Sequence, residues 1–89
     1  MQIDGNRELQ LLRELSLELT GVGIHAQLRH DLHALAVATG RLGIHIWVFV
    51  SPYRPRFACY LDSLREYPIN DPSWAAHDIA AFVRGKVRT

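Results

Sequence analysis

The stretch Ile44-His45-Ile46-Trp47-Val48-Phe49-Val50 constrains the fold of this chain more than any other. Side chains of an extended backbone alternate faces, so Ile44, Ile46, Val48 and Val50 fall on one side and His45, Trp47 and Phe49 on the other. The run is dense in β-branched and aromatic residues, which predicts a central strand. Both of its faces are apolar, so each needs a cover. A helix layer supplies one cover; what covers the other is the functional question.

The remainder of the chain supplies that layer. Its 89 residues make a single domain with a modest core, and 48% hydrophobic against 21% charged residues exclude a disordered chain. A formal net charge of +1 provides no global field for nucleic acid or acidic membranes. Cys59 is the only cysteine, which excludes an internal disulfide and a Cys-rich zinc site. Met1 to Asn6 lacks the basic and apolar regions of a signal peptide, and no apolar run approaches membrane-spanning length. The expectation is therefore a cytoplasmic protein with no membrane partner.

Asp4 or Asn6 can cap a first helix that Gly21 closes, with Leu9, Leu11, Leu12, Leu15 and Leu19 in one broad arc. Leu17 falls outside that arc. After Gly21-Val22-Gly23, Ile24, Ala26 and Leu28 alternate with His25, Gln27 and Arg29 as a half-buried strand, and His30-Asp31 reads as a turn. Residues 32–39 place Leu35 and Val37 on one side and Ala34, Ala36 and Ala38 on the other. The alanines leave a helix open there, while the short connections favour a strand paired as a hairpin. Gly40 to Gly43 turns into the central strand, and Pro52 and Pro55 end it. Phe57, Cys59 and Leu61 alternate with Ala58 and Tyr60 in a returning strand, which residues 62–69 extend irregularly. Asp71-Pro72 starts a last helix with Ala75, Ile79, Phe82 and Val83 inward, closed by Gly85. The expected fold is α+β: a two-layer sandwich with the order helix, four-stranded antiparallel meander, helix (α-β-β-β-β-α), as one domain over residues 1–89.

Pro68, Ile69, Asp71, Pro72, Ala75 and Ala76 stand in a pattern that resembles small helix–β-meander–helix proteins of actinobacterial type. Those proteins also carry a leading Leu/Arg/Glu helix and a Trp-bearing strand. The resemblance implies the fold and implies no activity, cofactor or site residue.

With both helices on one face, the opposite face holds His25, Gln27, Arg29, His45, Trp47, Phe49 and Tyr60, an apolar patch of the kind that marks an interaction site. Self-association as a homodimer is the favoured reading, because twofold dimers are the commonest oligomers. The candidate interface residues are His25, His45, Trp47, Phe49 and Tyr60, with Tyr53, Arg54 and Arg56 in the adjoining loop. A heterologous protein partner, in a regulatory or accessory role, stays open. A small-ligand or single-stranded nucleic-acid module on the same face is the alternative, with Arg29, Arg54, Arg56 and Arg65 reaching phosphates. The near-zero charge and the missing RNP-type signature disfavour nucleic acid. The plain alternative is that strand order, or the loop at Tyr53, folds over the patch.

His30-x-x-His33 and the pair His25 and His45 raise a metal site, yet no third ligand stands at a recognised spacing, so no metal is expected. Histidines on the face also offer a pH-sensitive contact. No phosphate-cradling glycine loop, nucleophile elbow or spaced acid pair is present, and Cys59 shares parity with Phe57 and Leu61, which points to burial. A non-enzymatic protein without cofactor is the expectation.

Overall fold

The computed structural model describes residues 4–40, 45–51, 56–60 and 64–85, without the side chains of 56–60 and 64. The described residues form two helices and five strands in the order α1 (Gly5–Gly21), β1 (Ala26–Arg29), β2 (Ala34–Ala38), β3 (His45–Val50), β4 (Arg56–Tyr60), β5 (Leu64–Pro68) and α2 (Pro72–Val83). The strands form one antiparallel sheet in sequential order β1-β2-β3-β4-β5. The α+β class and the antiparallel sheet agree with the sequence reading, but the described residues form five strands where a four-stranded meander was expected. Residues 64–68 are a separate strand that pairs back on β4, from Arg56 opposite Pro68 to Tyr60 opposite Leu64.

Both helices pack on the same side of the sheet. α1 lies on β1, β2 and β3, and α2 lies on α1 and β5. The core between the layers is built from Leu11, Leu12, Leu15 and Leu19 of α1, Leu35, Val37, Ile46, Val48 and Val50 of the sheet, and Ala75, Ala76, Ile79 and Ala80 of α2. Alternation decides these sheet residues: in β3 burial reads exposed, buried, half-buried, buried, half-buried, buried from His45 to Val50. The alanines of α2 admit a close approach to α1, which larger residues at those positions would prevent. Leu17, off the buried stripe, is 67% exposed.

The caps explain where the helices begin and end. Asp4 Oδ1 accepts from the Arg7 backbone N–H at 2.8 Å, and Asp71 Oδ1 accepts from that of Trp74 at 3.1 Å with Pro72 at the first helical position. At the end of α1 the left-handed residue is Gly23 (φ 83°), not Gly21, which stays helical. The Gly23 N–H reaches the Thr20 carbonyl and the Ile24 N–H reaches that of Leu19, while buried Leu19 and Ile24 supply the apolar contact of a Schellman motif. The Arg84 guanidinium, just past α2, donates to the Val22 carbonyl and so ties the end of α2 to the end of α1. A Cβ on Gly23 would stand 3.1 Å from Arg84 Nη2. Gly23→Ala is expected to cost about 1–2 kcal/mol, because an alanine in the left-handed region is strained and Arg84 must also shift. Urea denaturation checks this, with Gly21→Ala, where nothing lies within 4 Å, as the variant expected to be neutral or stabilising.

The β1–β2 turn docks on the start of α1. His33 has φ 48°, an uncommon conformation outside glycine, and its Nδ1–H donates to Glu8 Oε1 at 2.9 Å. A Cβ on Gly5 would come within 2.8 Å of the His33 ring. The glycine at the first turn of α1 thus lets the imidazole lie against the helix.

Candidate functional site

With α1 and α2 on one side, the opposite side of the sheet carries no helix among the described residues. Its composition follows from register. Ala36 of β2 stands between Gln27 of β1 and Trp47 of β3, and Ala34 stands opposite Arg29. Ala38 stands opposite His45, and its N–H donates to the His25 carbonyl at 2.9 Å. Directly opposed residues share a face. The three alanines therefore floor a trough, with His25, Gln27 and Arg29 along one wall and His45, Trp47 and Phe49 along the other.

The floor explains β2. Its alanines favour helix in isolation, but Ala34 and Ala36 are buried although no helix covers them. Small residues between two rows of larger ones are shielded from water by those rows. Trp47 and Phe49 are half-buried rather than fully exposed, while His25, Gln27 and His45 are exposed. The Trp47 ring lies 6.2 Å from that of His45 at 49°. Beyond β3 the face continues at Tyr60, opposite Trp47, and at Ala58, opposite Phe49. Glu66 stands opposite Ala58 on β5 and is exposed.

Of the residues singled out from the sequence, His25, His45, Trp47 and Phe49 come together on this face, and the register puts Tyr60 and Arg56 at positions of the same parity on β4. Tyr53 and Arg54 lie outside the described residues. Among the described side chains, Arg29 and Arg65 do not form a basic strip. Arg29 Nη2 bonds Asp31 Oδ2 at 3.2 Å, which holds that carboxyl below the usual carboxylate range. Arg65 belongs to the helix side of the sheet, where Nη1 meets Asp78 Oδ2 at 3.3 Å and the guanidinium lies 4.6 Å from the Phe82 ring centre.

The histidines separate in the same way. His33 bonds Glu8, so His30 and His33 do not act as a pair, and His77 is exposed on α2. Among the described residues no group of three or more His, Cys, Asp or Glu side chains stands close enough to hold a metal. Cys59 stands opposite Val48 in the ladder, at a register position of the helix side.

Sequence reasoning missed a second cluster, where α2 crosses β5. Tyr67, 3% exposed, donates its hydroxyl to Asp78 Oδ2 at 2.7 Å. Trp74 packs edge-on against the Tyr67 ring, 5.2 Å between centres at 75°, and is itself 50% exposed. Trp74, Asp78 and Phe82 recur at four-residue spacing, one stripe of a helix. That spacing was the available signal; their partners on β5 were not readable from it.

No protein-family model, curated protein or solved structure matches this chain. Among the described residues, no helix is long and apolar enough to cross a membrane.

Proposed function

We propose that this chain is a non-enzymatic, cytoplasmic protein-interaction module that self-associates as a homodimer through the sheet face opposite its helices. The observation that carries this reading is the placement of Trp47 and Phe49, half-buried on a face that neither helix covers. Fully burying such a side chain is worth about 1.5–3 kcal/mol. Since both rings are already partly shielded, each contributes toward the lower end, so the dimer needs the whole trough and not one anchor. A second copy provides a matching surface by symmetry, because a twofold contact uses the same patch on both partners.

Trp47→Asp is the direct test. Placing a carboxylate in a contact centred on this face is expected to leave a single-chain mass by sedimentation equilibrium where the wild type gives twice that mass. Trp74→Asp, on the helix side, is expected to leave the dimer intact. A dimer that survives Trp47→Asp and dissociates with Trp74→Asp would put the interface on α2.

The small-ligand or single-stranded nucleic-acid reading draws on the same aromatic wall. The partnering of Arg29 by Asp31 and the position of Arg65 on the helix side both count against a phosphate track.

A further inference from the structure

We infer that His25 and His45 form a two-imidazole clamp for a transition-metal ion of the zinc or nickel class, seated over the methyl group of Ala38. The clamp belongs to the single chain with this face open, and a second copy seated on the same face would compete with the ion.

Register carries it. The Ala38 N–H donates to the His25 carbonyl, one bond of a hydrogen-bonded pair a step beyond Ala26 opposite Val37, and Ala38 turns its other edge, as a non-bonded pair, to His45. Opposed Cα atoms lie about 5.5 Å apart in the first kind of pair and about 4.5 Å in the second. His25, just before β1, and His45, at the start of β3, thus stand about level on either side of Ala38, about 10 Å apart and at positions of one face. The residue between them is the smallest that still has a side chain. Two imidazoles leaning inward over an alanine have room for a shared ion with nitrogen–metal bonds of about 2.0 Å, and a larger residue there would fill the space.

The two rings are also available. Both residues are exposed, and among the described residues His45 has a tilted contact with Trp47. His33 differs, since its ring nitrogen is engaged by Glu8. Imidazole suits zinc, nickel and copper, while the hard cations magnesium and calcium prefer oxygen. With two protein donors, water completes the coordination and the ion exchanges readily, unlike a closed structural site.

The test is a titration of the metal-free full chain with Zn²⁺, followed through the imidazole nitrogens by NMR. Expected is a joint shift of His25 and His45 that saturates at one ion per chain. Holding both donors on one scaffold makes the second bond intramolecular, so His25→Gln and His45→Gln should each weaken binding by at least about tenfold. Ala38→Leu should weaken it similarly with both histidines in place, whereas His30→Gln and His77→Gln should change nothing. Independent titration of the two rings, an unaltered affinity in Ala38→Leu, or a response centred on His30 and His33 would each overturn the proposal.

Discussion

Leu15→Ala is expected to lower the unfolding free energy by about 3–4 kcal/mol, within the range for truncating a fully buried leucine. Leu15 is 0% exposed and sits in the middle of the α1 stripe, between Leu11 and Leu12 on one side and Leu19 on the other. Its removal leaves a cavity under the sheet, walled by well-packed neighbours that relax only in part. A domain of this size has about 5–10 kcal/mol in total, so the loss is a large fraction, worth roughly 15–25 °C in Tm. Leu17→Ala is the matched control: the same chemistry at a residue that is 67% exposed should stay within about 0.5 kcal/mol. Thermal and urea denaturation of both variants check the pair. Equal losses from the two would mean that α1 presents a different face to the sheet.

The second large effect is expected at Asp78. Its Oδ2 accepts from the Tyr67 hydroxyl, at a residue nearly closed to water, and from Arg65. Asp78→Ala leaves that hydroxyl without its acceptor and should cost about 1–3 kcal/mol. Tyr67→Phe removes the donor instead, and the half-exposed carboxylate keeps Arg65 and gains water, so about 1 kcal/mol is expected. The double variant should lose less than the sum of the two, since the Tyr67–Asp78 bond can be lost only once. A double-mutant cycle from urea denaturation measures the difference. Strict additivity would mean that the 2.7 Å bond contributes nothing to stability.

The parts of this fold that were legible in the sequence are those whose cause is local. The two faces of β3 follow from alternation alone, and Asp71-Pro72 marks the start of α2 through chemistry confined to one helical turn. Features with a distant cause were not legible. Gly21 and Gly23 are equally good helix terminators in isolation; the packing of Leu19 on Ile24 selects Gly23. β5 places a charged residue, Arg65, on the helix side, which reads as a broken pattern until Asp78 and Phe82 are brought above it by α2. Hence residues 64–68 looked like an irregular tail to β4 and not a fifth strand.

The candidate site divides along the same line. Alternation placed His25, His45, Trp47 and Phe49 on one face, and the ladder joins them there. Parity by itself carries no register, however, so the alanine floor between two walls was invisible. Which alanine faces which histidine depends on hairpin turns that shift the pairing by whole residues. The pairing of Arg29 with Asp31 and of His33 with Glu8 also lay beyond reach, although each removes a group from a functional role that the sequence alone left open to it.

If the side of the sheet opposite α1 and α2 is the proposed subunit interface, the chain is a dimer in solution. Static light scattering on the wild-type chain across a dilution series tests it most directly. A mass near twice that of the chain, falling toward a single chain only at high dilution, is the predicted result. A single-chain mass at every concentration would contradict it.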